Sequence, residues 1–196
     1  MLFRLLTVVA LIVTPLASAK EASNAGFGTF TSSDLAVLKA ALGSQCHSDN
    51  HRYALLSSNV IVPEEYHHIE SVDESGAVND LERRSASPTS IPLIDACPGV
   101  RVVDGQTISR AFGLDRSKDK GIRSELERGW KRLYTTFPGA TSWLSVSMPG
   151  YNHAGDIAAI YFAQSSGNLN GSGTCVYLQR VAGTWRVLVR VPIWIS

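Results

Sequence analysis

Two groups of side chains carry the residue types that chemistry needs. His47, His51, His67 and His68 fall close together, with Cys46, Glu64 and Glu65 among them. Neutral imidazoles, thiolates and carboxylates ligate metals, and a local cluster brings them to one ion at low cost. The spacing follows no zinc pattern, however. Ser48-Asp49-Asn50 disfavours the helical turn that would put His47 and His51 on one face, and His67 and His68 point apart in any regular element. A polar surface patch is the preferred reading, and no cofactor is expected.

The second group is Ser145 and Ser147, followed by His153 and Asp156. A hydroxyl, a base and an orienting acid are the parts of an activated nucleophile. The strained Gly-x-Ser-x-Gly turn that presents such a serine is absent, and a serine on a strand ordinarily faces water. Gly167-Asn168-Leu169-Asn170-Gly171-Ser172-Gly173 is rich in glycine, but it lacks the lysine of a phosphate loop and leads into a strand. It reads as a hairpin loop. Within it, Asn170-Gly171-Ser172 matches an N-glycosylation acceptor.

The formal net charge of the 196-residue chain is +1 and the pI is near 7.8, so no global field draws in nucleic acid or an anionic surface. The basic residues from Arg101 to Arg132 are interleaved with acids, and nucleic acid is not an expected partner. Composition is that of a folded globular protein, with 44% hydrophobic and 18% charged residues.

Residues 1–19 differ from the rest: Arg4, an apolar run from Leu5 to Val13, Pro15, then Ala17-Ser18-Ala19. That order is the order of a secretory signal peptide, and its apolar run is far below the roughly 20 residues that span a bilayer. The expected product is secreted or periplasmic, with no membrane anchor after cleavage. A flexible leader is expected at 20–31 and one globular domain over 32–196.

An oxidising compartment lets two of the three cysteines pair. Cys46 and Cys97 each sit beside turn residues, whereas Cys175 lies inside a strand-like run where a small thiol fills core. The expected disulfide is therefore Cys46 with Cys97.

These residues must be held by secondary structure. The pattern predicts a helix at 33–42, capped by Ser32 or Ser33, striped by Leu35, Leu38 and Leu42 and ended by Gly43. A strand is expected over Arg52–Val62, then an irregular, acidic segment over 64–99 holding a short helix at Val78–Arg84. A short strand at Arg101–Val103 and a turn of helix capped by Thr107 and ended by Gly113 follow. A long amphipathic helix is predicted from Ser117 to Phe137, with Ile122, Leu126, Trp130, Leu133 and Phe137 on one face. Asp119 with Arg123 and Glu127 with Lys131 are its expected surface pairs, and Trp130 its expected anchor against the sheet. Four strands then follow at 143–148, 156–164, 173–181 and 185–195. In the last, Trp185, Val187, Val189, Val191, Ile193 and Ile195 share one face, which is expected to be buried.

The fold class is therefore α+β, a four-stranded C-terminal antiparallel meander packed against a long helix, with a smaller helix and strand ahead of it. The element order over residues 117–196 resembles the rolls of the cystatin-like and nuclear-transport-factor-2-like superfolds, which host many unrelated activities. Export, small size and the lack of a catalytic signature imply a binding module for an envelope protein, or for a small ligand held between helix and sheet. The alternative is an envelope hydrolase built on His153 and Asp156, or on a metal at the His47 to His68 cluster.

Overall fold

The computed structural model describes residues 30–47, 51–63, 74–87, 89–93, 97–113 and 122–196. The expected signal peptide, the leader as far as residue 29, and His67 and His68 lie outside the described residues. Four α-helices and a seven-stranded open sheet, mostly antiparallel, make up the rest.

The first helix, α1, runs Ser32–Leu42. Its cap is Thr31, one residue ahead of the expected serines, because Thr31 and Asp34 satisfy each other's backbone amides in a capping box. Val37, Leu38, Ala41 and Leu42 are buried against the sheet, and Gly43 closes the helix at φ 47°.

Strand β1 is Tyr53–Ser57, shorter than expected, and it lies parallel to both its neighbours, β2 (Val100–Val103) and β3 (Ala140–Val146). Chain joining β2 to β3 must therefore cross β1. That crossing is α3 (Gly105–Phe112) and α4 (Ile122–Thr136), while α2 (Ala77–Ser85) precedes β2. The cap of α3 is Asp104, whose carboxylate accepts from the Thr107 amide at 2.9 Å, so Thr107 lies in the first turn rather than at the cap.

This topology corrects the expected place of the long helix. Leu133 and Trp130 of α4 are buried with Leu55, Ile108 and Phe112, and Trp143 packs beside them. The helix covers the parallel part of the sheet, not the C-terminal meander. Its surface ion pairs also differ from expectation: Glu125 pairs with Arg128 and Arg132, whereas Glu127 and Lys131 do not pair, and Asp119 lies outside the described residues.

From β3 the chain forms β4 (Gly150–Tyr151), β5 (Ile157–Ser165), β6 (Gly171–Val181) and β7 (Thr184–Ile195). The sheet order is β2-β1-β3-β5-β6-β7, with β4 beside β5. The expected four-stranded meander is thus the antiparallel part of a larger mixed sheet. Strand β5 is apolar on both faces because both are covered: Ala158, Ile160 and Phe162 meet α1, while Ala159 and Tyr161 meet α2. At Gly150 the backbone of α2 comes so close that a Cβ would stand 2.1 Å from the Leu81 nitrogen, so only glycine fits.

The one-face reading of the last strand does not hold. Between Leu178↔Val187 and Tyr177↔Val189 the register skips Leu188, and between Thr174↔Pro192 and Gly173↔Trp194 it skips Ile193. Each β-bulge reverses which face the following residues occupy. Trp185 is buried beneath α1, whereas Val191 and Ile193 pack on the α2 side, and Leu188 is 55% exposed.

Cys46 and Cys97 form the expected disulfide, with Cα atoms 5.2 Å apart and a sequence separation of 51. In the chain-entropy account a loop of this length stabilises by about 4 kcal/mol. Cys175 is buried and takes no part in the bridge. Alkylation in denaturant without reductant, read by mass spectrometry, is expected to label one thiol per chain, at Cys175. Labelling at all three cysteines would refute the pairing.

Candidate functional site

The serine, histidine and aspartate named above do not come together. Ser147 is fully buried, its hydroxyl donating to the Met148 carbonyl and accepting from the Tyr161 amide, both at 2.9 Å. That hydroxyl is spent on joining β3 to β5. Ser145 lies within β3 opposite Ala163. His153 is exposed in the turn before β5, and the Asp156 carboxylate accepts from the Asn152 side chain at 2.8 Å. Asn152 also accepts from the Asp156 and Ile157 amides, so it is Asn152 that organises this turn. No hydrogen bond or ion pair joins His153 to Ser147 or Asp156 among the described residues.

His47 and His51 are both exposed, and Cys46 is held in the disulfide. Among the described residues no three of His, Cys, Asp and Glu gather as a metal-ligand set. Of the glycine-rich segment, residues 167–170 lie in the hairpin connection from β5 to β6, whereas Gly171, Ser172 and Gly173 already belong to β6 and pair with β5.

One polar cluster escaped the sequence. Asp34, in the first turn of α1, is completely buried. Arg84, near the end of α2, holds it with two parallel hydrogen bonds of 2.9 Å. Tyr151 of β4 donates its phenol to the same carboxylate at 2.8 Å, and the Thr31 amide and hydroxyl donate at 2.7 and 2.8 Å. Arg84 also donates to the Pro149 carbonyl and stands 5.2 Å from the centre of the Tyr151 ring. The Tyr151 amide donates to Asp80 at 2.8 Å, which ties β4 to α2 again. With five donors on its carboxylate, Asp34 has no open side for a substrate. The cluster is a strut joining α1, α2 and β4. Burial works against the Arg84 charge, but the hydrogen bonds and charge of Asp34 outweigh it and raise the guanidinium above its ordinary value.

The phenol yields a prediction. Burial raises Tyr151 well above its ordinary value of 10.0, and the neighbouring Asp34 charge raises it further; burial also raises Tyr134. An unfolded chain ionises these groups near pH 10 while the folded one keeps the protons. Their contribution is therefore complete below that pH and is lost as the pH climbs beyond it. Urea unfolding between about pH 9 and about pH 11 should show falling stability in the native sequence and a shallower fall in Tyr151→Phe. Equal slopes in the two proteins would remove Tyr151 from this account.

The surface with the character of a docking site is the outer edge of the sheet. Among the described residues no strand pairs with the far side of β7. Val187, Leu188 and Val189 are 37%, 55% and 49% exposed in succession. Residues 171–196 contain Arg180, Arg186 and Arg190 and no acid. Arg180, Arg186 and Arg190 are all exposed, and Arg190 also donates to the Ala41 carbonyl at 2.6 Å, near the C-terminal end of α1. Pro192 lies where only an edge strand accepts proline. The alternating residues were visible in sequence, but their exposure was not, because the two bulges leave no pattern in an alternating run. No family model, curated protein or solved structure matches this chain.

Proposed function

We propose that the protein is an exported binding module that holds an extended, acid-bearing segment of another envelope protein along β7. The observation that carries this reading is the unpaired edge, apolar and exposed at Val187–Val189 and flanked by Arg186 and Arg190. A strand added there gains main-chain hydrogen bonds, and the arginines select carboxylates on it. A second copy of the chain would bring arginines against arginines, which is unfavourable across paired strands.

Further support comes from the interior. The space between α1 and the sheet is closed by Leu38, Leu42, Ile160 and Leu178, each at most 2% exposed, so a ligand has no room there. A hydrolase with Ser147 as its nucleophile would need that hydroxyl available, and it is engaged on both sides. Residues 1–19 and the disulfide favour an oxidising compartment, and no helix among the described residues is long and apolar enough to cross a membrane. The likeness to a cystatin-like or nuclear-transport-factor-2-like roll belongs to the same proposal; it is supported by the antiparallel order β3-β5-β6-β7, with β1 and β2 standing outside it.

The test uses a synthetic β-strand peptide of alternating valine and threonine bearing two glutamates, and the same peptide bearing two lysines. Fluorescence anisotropy should show preference for the acidic peptide, weakening with salt, and Arg186→Glu should lower its affinity about tenfold without changing the melting temperature. Equal binding of the two peptides, binding of neither, or a concentration-dependent dimer that occludes β7 would overturn the reading.

A further inference from the structure

At the opposite side of the sheet, all three parallel strands begin beside one another, at Tyr53, Val100 and Ala140. A groove of about 770 Å³ opens at these strand starts. Small-molecule sites commonly enclose roughly 300 to 1,000 Å³. Among the described residues its charged lining is of one sign. Arg52 and Arg101 are exposed along it with His51 beside them, and no carboxylate lines it among the described residues. Its apolar lining is supplied by the Tyr53 ring, Pro98 and Pro138.

The walls are fixed before any ligand arrives. The Tyr53 hydroxyl donates to the Pro138 carbonyl at 3.1 Å, which sets the ring. Cys97 ties its wall to Cys46 through the disulfide. His51 is held at φ 63°, and its carbonyl lies so close to Gly139 that a Cβ there would stand 2.7 Å away. The Arg101 guanidinium sits 5.9 Å from the Tyr53 ring centre, which orders a long side chain that would otherwise lose entropy on binding.

We infer that this groove is a binding site for a small anion carried on a flat apolar body, an aryl carboxylate or aryl phosphate. The guanidinium of Arg101 presents two parallel donors to the anion, a geometry that suits carboxylate and phosphate alike, while the ring and prolines take the apolar body. The site is at the far edge from β7, so it does not rest on the strand-docking proposal.

Calorimetric titration with phenyl phosphate, benzoate, inorganic phosphate and benzyl alcohol tests it. Phenyl phosphate or benzoate should bind about tenfold tighter than either inorganic phosphate or benzyl alcohol, and the tighter of the two identifies the anion. Arg101→Gln should weaken that binding about tenfold at an unchanged melting temperature, and Arg101→Lys should recover only part of it. An unchanged affinity in Arg101→Gln would overturn the assignment, as would equal binding of benzyl alcohol or inorganic phosphate. Failure to saturate with any probe at about 10 mM would overturn it too. Binding of the acidic strand peptide to Arg101→Gln is expected to stay at the native level, which separates failure of this site from failure of the β7 edge.

Discussion

Arg84→Ala is expected to lower the unfolding free energy by about 3 to 5 kcal/mol, since it strips a completely buried carboxylate of the one cation that faces it among the described residues. Domains of this size have roughly 5 to 15 kcal/mol in total, so the variant should lie near the edge of folding. The origin of the loss can be separated from simple truncation. An Asp34→Leu, Arg84→Met pair removes both charges and keeps most of the volume, and buried pairs replaced in this way are often neutral. Urea denaturation of the single and paired variants should show the pair less damaged than Arg84→Ala. A loss below about 1 kcal/mol in Arg84→Ala would mean that water reaches Asp34 and that the strut is not closed.

A second large effect is expected at Trp130. The side chain is 8% exposed, meets Phe112 edge to face at 5.3 Å between ring centres, and lies 5.5 Å from Tyr134. Truncation of such a residue to alanine costs about 3 to 5 kcal/mol. The structure adds where the damage appears. Trp130 holds α4 to α3, and Phe112 lies so close to Gly129 that a Cβ there would stand 2.6 Å from its ring. Hydrogen exchange in Trp130→Ala should therefore quicken in α3 and α4 before it quickens in β5 and β6. Uniform quickening across the sheet would place Trp130 in the common core instead.

The parts of the molecule that sequence exposes are those whose pattern is local. The stripe of Leu126, Trp130, Leu133 and Phe137 repeats at the helical period, and Ile157 to Phe162 has apolar side chains on both faces; both were read in the right kind of element. Cys46 and Cys97 were separable from Cys175 because turn residues and strand residues differ in kind. What was hidden depends on distant pairing. Five residues at Tyr53–Ser57 carry no mark that says parallel, or that β2 and β3 flank them, and the place of α4 follows from that fact alone. Asp34 reads as a residue suited to a helix N-terminus, which it is, but nothing in its surroundings points fifty positions on to Arg84. The site residues chosen for their types, Ser147, His153 and Asp156, were near one another in sequence and not in space. The arginines that line the groove, Arg52 and Arg101, were far apart in sequence, where no spacing joins them.

The docking of α1 has a consequence for the order in which the chain can assemble. Its C-terminal carbonyl at Ala41 is met by Arg190, 149 positions away, and its apolar face rests against β5, β6 and β7. While the chain is being made, α1 emerges ahead of β5, β6 and β7. A nascent chain that stops short of residue 184 has β5 and β6 to lay the helix on, but lacks Trp185 and the Arg190 guanidinium that complete its seat. Contacts of such long range are slow to close, so α1 docks late. The packing of α1 is therefore complete only once β7 has joined β5 and β6.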